Sequence, residues 1–118
     1  MAGLSTHVLD TARGLPGAGM RVVLYRIAAD GARQRLVEFI TNAQGRQDGE
    51  LLPGEAFQRG SYELEFHAGD YFRAAGVPLA DPPFLDVIPL RFGIAETSQH
   101  YHVPLLVSPW SCGTYRGG

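Results

Sequence analysis

His100-Tyr101-His102-Val103-Pro104-Leu105-Leu106-Val107-Ser108-Pro109-Trp110-Ser111-Cys112-Gly113-Thr114-Tyr115-Arg116-Gly117-Gly118 closes the 118-residue chain. It reads as a strand, a tight turn and a second strand running to the end. The stretch holds two of the four histidines, the only Trp and the only Cys. From Val103 to Val107 both strand faces are apolar: Val103, Leu105 and Val107 on one, Pro104 and Leu106 on the other. A strand buried on both faces of a two-layer sandwich needs cover from another molecule, so an oligomer is expected. Pro104 has no N–H to give a ladder, which predicts a bulge or an edge position there.

Working outward, strands recur at short intervals. Leu4 to Leu9 alternates, with Ser5, His7 and Leu9 on one face and Leu4, Thr6 and Val8 on the other. Asp10 to Gly19 is turn chemistry. Met20–Ile27 and Arg35–Thr41 flank Asp30-Gly31, a hairpin signal. Asn42 to Gly49 is a polar loop carrying Arg46, and Glu50–Leu52 reads as a very short strand. Ser61–His67 turns Tyr62, Leu64 and Phe66 inward and Ser61, Glu63, Glu65 and His67 outward. Asp70–Gly76 is the single helical piece, with Asp70 as its cap and Gly76 as its end. Phe84–Phe92 is another strand. About eight strands, one short helix and no βαβ rhythm predict one all-β domain over residues 1–118, an antiparallel β-sandwich in two sheets.

Composition narrows the function. Hydrophobic residues make 45% of the chain and charged ones 19%, ordinary for a globular domain. The net charge is -2, and the ten basic residues, all Arg, form no block. Nucleic acid and anionic membrane are therefore not expected partners. No window reaches the length of a membrane span, and the first residues have no basic or apolar leader pattern, so a cytoplasmic protein is expected. A single Cys excludes an internal disulfide, and Cys112 reads as a packing residue.

Chemistry has few places to sit. His100 and His102 share one strand face, but no third ligand at suitable spacing accompanies them, so no metal and no cofactor are expected. His102, at the mouth of the apolar strand, is the better functional candidate, and His100 supports it or is exposed. His67 shares a face with two glutamates and reads as solvated. Arg46 offers a permanently charged, forked donor suited to a flat, anion-forming heterocycle.

His100–Gly118, together with LSTHVLDTARGLPGAGM near the start, NAQGRQDGEL in the middle and GDYFRAAG later, resembles the transthyretin-related 5-hydroxyisourate hydrolases over almost the whole chain. The resemblance implies the transthyretin fold, with two four-stranded sheets and a short helix after the fifth strand. It implies a homotetramer, a dimer of dimers, with active sites where dimers meet. It implies cofactor-free hydrolysis of 5-hydroxyisourate to 2-oxo-4-hydroxy-4-carboxy-5-ureidoimidazoline in urate degradation. His7 matches the histidine of the family's S-x-H motif, and Arg46 its catalytic arginine. His7, Arg46 and His102 are thus the expected catalytic residues. Tyr115, Arg116, Gly117 and Gly118 complete the expected substrate-binding set. The family tail usually ends in Ser, where this chain has Gly118. The alternative within the resemblance is a small-molecule binding protein like transthyretin, a carrier in which the hydrolase His and Arg positions are replaced.

Overall fold

A computed structural model describes residues 2–118. Eight strands run in chain order: β1 (Gly3–Asp10), β2 (Leu15–Pro16), β3 (Arg21–Ile27), β4 (Arg33–Ile40), β5 (Gly60–His67), β6 (Val87–Ile94), β7 (His100–Val107) and β8 (Cys112–Gly113). One helix, α1 (Ala68–Ala74), follows β5, and a 3-10 turn covers Gly54–Ala56. One sheet has the order β2-β1-β7-β8 and the other β4-β3-β5-β6.

The period-2 pattern explains the layers. Leu4 and Val8 of β1 meet Val22 and Leu24 of β3, Tyr62, Leu64 and Phe66 of β5, and Val103, Leu105 and Val107 of β7 in one core. Burying each of the larger side chains stabilises the sandwich by about 1.5–3 kcal/mol before entropy is set against it. Asp10 ends β1 with a buried carboxylate that accepts from the Ala12 and Arg13 amides, from Arg13 Nε and from Tyr71 O–H. This ties the outer sheet to α1.

The all-β sandwich expected from the sequence is what the chain forms, with several local differences. β1 and β7 pair in parallel, Ser5 beside His102 and His7 beside Pro104. Glu50–Leu52 is not a strand, and the sixth strand begins at Val87, not at Phe84. Asp70 does not cap α1: it lies in the first turn, paired with Arg73 at 2.8 Å. The Asp86 carbonyl instead accepts from the Ala68 and Gly69 amides. Gly76 does end the helix, at φ 79°. Glu63 is 5% exposed, not solvated, because Arg91 reaches it from the adjacent β6 and Arg33 from β4, across β3. His67 is likewise largely covered and meets Glu65 at 3.1 Å.

Pro104 makes no bulge. Leu106 pairs with Gly113 and His102 bridges Gly117, so the same register would place Tyr115 opposite Pro104. His102 N and O both face the tail, and the Pro104 carbonyl accepts from Thr114 Oγ1 at 2.7 Å. The missing N–H of Pro104 therefore faces the tail as well. It splits the terminal pairing into β8 and a lone bridge at Gly117.

Candidate active site

The outer face of the β2-β1-β7-β8 sheet collects the polar residues that alternate with the core. Ser5 and His7 of β1 and His102 of β7 lie on it, side by side because the pairing is parallel and in step. The loop after β4 adds to the free edge of β1: His7 bridges Arg46, and Val8 N–H donates to the Gly45 carbonyl at 2.8 Å. On the far side of β7, Gly117 bridges His102. Two rungs of the sheet thus carry the site: Arg46 and His7 on one, Ser5, His102 and Gly117 on the next, with His7 diagonal to His102.

The loop is built to hold Arg46. Asn42 Oδ1 accepts from the Gln44 and Arg46 amides, each at 3.0 Å, and Asn42 Nδ2 donates to Asp48. Gln47 Oε1 accepts from the Thr6 amide at 3.1 Å. Among the described residues the Arg46 guanidinium has no carboxylate or carbonyl partner, unlike Arg13, Arg33 and Arg91. It is an exposed cation, free to meet an anion.

Both imidazoles are fixed at one nitrogen. His7 Nε2 donates to the Gln44 carbonyl at 2.8 Å, which leaves Nδ1 as the acceptor of the neutral ring. His102 Nδ1 lies 2.7 Å from Ser5 Oγ, which leaves Nε2 free. Burial holds the His7 pKa below the usual imidazole value. The Arg46 charge lowers it further, against a smaller opposing effect of the Gln44 hydrogen bond. The His102 pKa is also lowered, by burial first and then by Arg46, His7 and His100. Two neutral rings, each with one nitrogen engaged and one open, beside a guanidinium with no carboxylate or carbonyl partner among the described residues can take a proton, return it and stabilise a developing anion.

The tail divides the expected residues. Gly117 sits against His102, and Gly118 follows it with open space around its α-carbon. Arg116 turns away from the histidines: its guanidinium lies 4.2 Å from the Tyr101 ring centroid and donates to Gln99 and to the His100 carbonyl. Tyr115 is 59% exposed and lines, with Arg116, a groove of about 290 Å³ over Leu90, Phe92 and Tyr101. That groove is mainly apolar, and its lining contains no histidine or carboxylate. The histidines and Arg46 gather instead at the open sheet face. Sequence reasoning missed Ser5, Gln44 and Asn42, although parity already put Ser5 on the face of His7.

Gly117 has a steric reason. A Cβ there would lie 3.0 Å from both Cβ and Cδ2 of His102. Gly117→Ala is expected to turn the imidazole or lift the tail. Turnover should fall at least tenfold, while stability changes by about 1 kcal/mol or less because the tail is peripheral. Steady-state kinetics beside a thermal melt check this.

The comparisons agree with the geometry. Residues 4–117 match the HIUase/Transthyretin family. A 5-hydroxyisourate hydrolase of Rhizobium meliloti is 58% identical over 97% of this chain and 94% of its own. The crystal structure of an (S)-allantoin synthase superposes with a TM-score of 0.93 at 48% identity, covering 99% of this chain, which spans only 44% of that longer one. Klebsiella pneumoniae 5-hydroxyisourate hydrolase superposes with a TM-score of 0.81 at 33% identity over the full length of both. Sea bream transthyretin in complex with thyroxine reaches 0.87 at 27% identity, over 98% of this chain and 95% of its own. With its fold, its outward histidine pair and this full-length match, the chain belongs to the HIUase/Transthyretin family.

Proposed function

We infer that this protein hydrolyses 5-hydroxyisourate, opening its six-membered ring to 2-oxo-4-hydroxy-4-carboxy-5-ureidoimidazoline. The observation that carries the reading is the cluster of Arg46, His7 and His102: two neutral imidazoles beside a guanidinium with no carboxylate or carbonyl partner among the described residues. Hydrolysis of a cyclic amide needs a base for water, a cation for the oxyanion and a donor for the leaving nitrogen. His7 Nδ1 and His102 Nε2 are the nitrogens left open for the first and third tasks. Arg46 serves the second and orients the flat ring. Gly117 and Gly118 bound the pocket from the tail, Tyr115 contributes its wall, and Arg116 braces the tail on Tyr101.

An open sheet face does not exclude water. We assign its cover to other copies of this chain, in a homotetramer built as a dimer of dimers. The half-exposed Leu106 on the face beside Pro104 supports that cover. No helix among the described residues is long and apolar enough to cross a membrane. The one exposed, unpaired Cys112 fits a reducing cytoplasm.

The test is the ultraviolet decay of freshly made 5-hydroxyisourate with and without protein, after subtraction of spontaneous decay. Acceleration supports the reading. Ligand binding by a folded oligomer without acceleration would replace it with a carrier function.

The lowered pKa values set the pH profile. Each ring must be unprotonated to accept a proton, so kcat/KM should hold as pH falls through the ordinary imidazole value of about 6.5 and decline only below it. Removing the Arg46 charge relieves the repulsion of an imidazolium, so both pKa values should rise in Arg46→Gln. An NMR titration of His7 and His102 reads this without turnover, and unchanged midpoints would refute the coupling.

A further inference from the structure

We propose that Ser5 and His100 form a proton relay behind His102, which sets its tautomer and carries its charge away from Arg46 during hydrolysis. The relay rests on the hydrolase reading above. Ser5 Oγ lies 2.7 Å from His102 Nδ1 and 2.8 Å from His100 Nε2. A hydroxyl has one proton to donate, so it cannot donate to both rings at once. In one orientation His102 Nδ1–H donates to Ser5, and Ser5 donates to His100 Nε2. His102 Nε2 is then a lone pair facing the site, ready to act as base. In the other orientation His100 Nε2–H donates to Ser5, Ser5 donates to His102 Nδ1, and His102 Nε2 carries a proton, ready to act as acid.

Hydrolysis needs both forms in turn, and the chain of three groups converts one into the other. Water gives a proton to His102 Nε2 as its oxygen adds to the carbonyl carbon. The Nδ1 proton passes to Ser5 Oγ while the Ser5 proton passes to His100 Nε2. Ser5 stays neutral, His102 stays neutral, and His100 becomes the imidazolium. Reversal delivers the same proton from His102 Nε2 to the leaving nitrogen, so nothing is gained or lost over the cycle.

The surroundings favour this transfer. Arg46 and His7 both disfavour charge on His102. His100 sits two residues before His102 at the start of β7, opposite Gly3, and lines a separate cleft of about 130 Å³ with Gln47, Gly49 and Glu50. The charged groups facing the relay are thus Arg46 and His7 at the His102 end and Glu50 at the His100 end. Asp48 is held by Asn42, and Arg116 bonds the His100 carbonyl and Gln99, not the His100 ring. Arg46 and His7 at the near end disfavour charge on His102, and the cleft at the far end holds the Glu50 carboxylate.

Ser5 and His100 are positioning residues, so their test reads more than rate. Ser5→Ala and His100→Gln should each lower kcat roughly tenfold to a hundredfold with KM little changed, and Ser5→Thr should recover most of the loss by restoring a hydroxyl. The proton inventory in mixed light and heavy water should be curved for the wild type and linear for Ser5→Ala. Nitrogen-15 spectra of the folded protein should show Nδ1–H on His102 in the wild type and Nε2–H in Ser5→Ala. A folded Ser5→Ala protein with the wild-type tautomer and kcat overturns the relay. Absence of acceleration by the wild type overturns the hydrolase reading instead, and the tautomer measurement still decides whether Ser5 directs His102.

Discussion

His102→Ala should lower kcat for 5-hydroxyisourate by roughly 10² to 10⁴, the range that one positioned acid–base group contributes. Four features of the site put the largest loss here. His102 is reached from both neighbouring segments, by Ser5 from β1 and by Gly117 from the tail. Its Nε2 is the one ring nitrogen left open. Its outward, half-buried position means that truncation opens no core cavity, so the melting temperature should stay within a few degrees of wild type. Ser5 keeps His100 as partner, so no buried hydroxyl is orphaned. The loss should also appear in kcat, not KM, because a proton-transfer group acts in the transition state and Arg46 still binds the ring. His67→Ala is the contrast. That ring is bonded to Glu65 on the other sheet, and its removal should leave turnover unchanged. Near-normal turnover in His102→Ala would remove it from the mechanism.

The sequence already carried much of this. Alternation placed Tyr62, Leu64 and Phe66 inward, and the same parity placed His7 and His102 outward on their strands. Alternation speaks of faces, however, and is silent on which strands become neighbours. The parallel pairing of β1 with β7 is a contact across 95 or more residues, and only it brings Ser5 against His100 and His102. Glu63 misled for a related reason: a carboxylate on a strand reads as solvated unless its cross-strand partners are known, and here Arg33 and Arg91 cover it. Asp70 reads as a cap because its side chain suits that role, yet a distant carbonyl, that of Asp86, had already taken the free amides. Arg46 was legible only through resemblance, since nothing local distinguishes a working loop arginine from a solvated one. Its neighbour Gly45 holds the clearer physical signature.

Gly45→Ala should damage fold and site together. Gly45 adopts φ 78°, a region that costs a side-chain-bearing residue about 1–2 kcal/mol. A Cβ there would lie 2.5 Å from the Val8 carbonyl oxygen and 3.0 Å from the Gly17 amide nitrogen. Both are backbone atoms inside hydrogen-bonded segments, so neither can swing aside as a side chain would. The clash adds about 1–3 kcal/mol, for a total of roughly 2–5 kcal/mol and a fall in Tm on the order of 10 °C or more. Gly31 separates the two causes. It has φ 87° with nothing within 4 Å of an added Cβ, so Gly31→Ala should show only the conformational part. The excess loss in Gly45→Ala measures the close approach of the loop to β1. That approach is also what seats the site, because the Val8–Gly45 hydrogen bond and the His7–Arg46 bridge are made by consecutive residues. Relief of the clash must move the loop outward, which withdraws the guanidinium and the Gln44 carbonyl from His7 at once. Well below the lowered Tm, where the protein is folded, turnover should still fall by at least tenfold, since a misplacement of about 1 Å costs on the order of 10² in rate. Loss of stability with full turnover of the folded fraction would mean that Arg46 reaches the substrate from a loop free to rearrange, and the rigid cluster of Arg46, His7 and His102 would not be the source of catalysis.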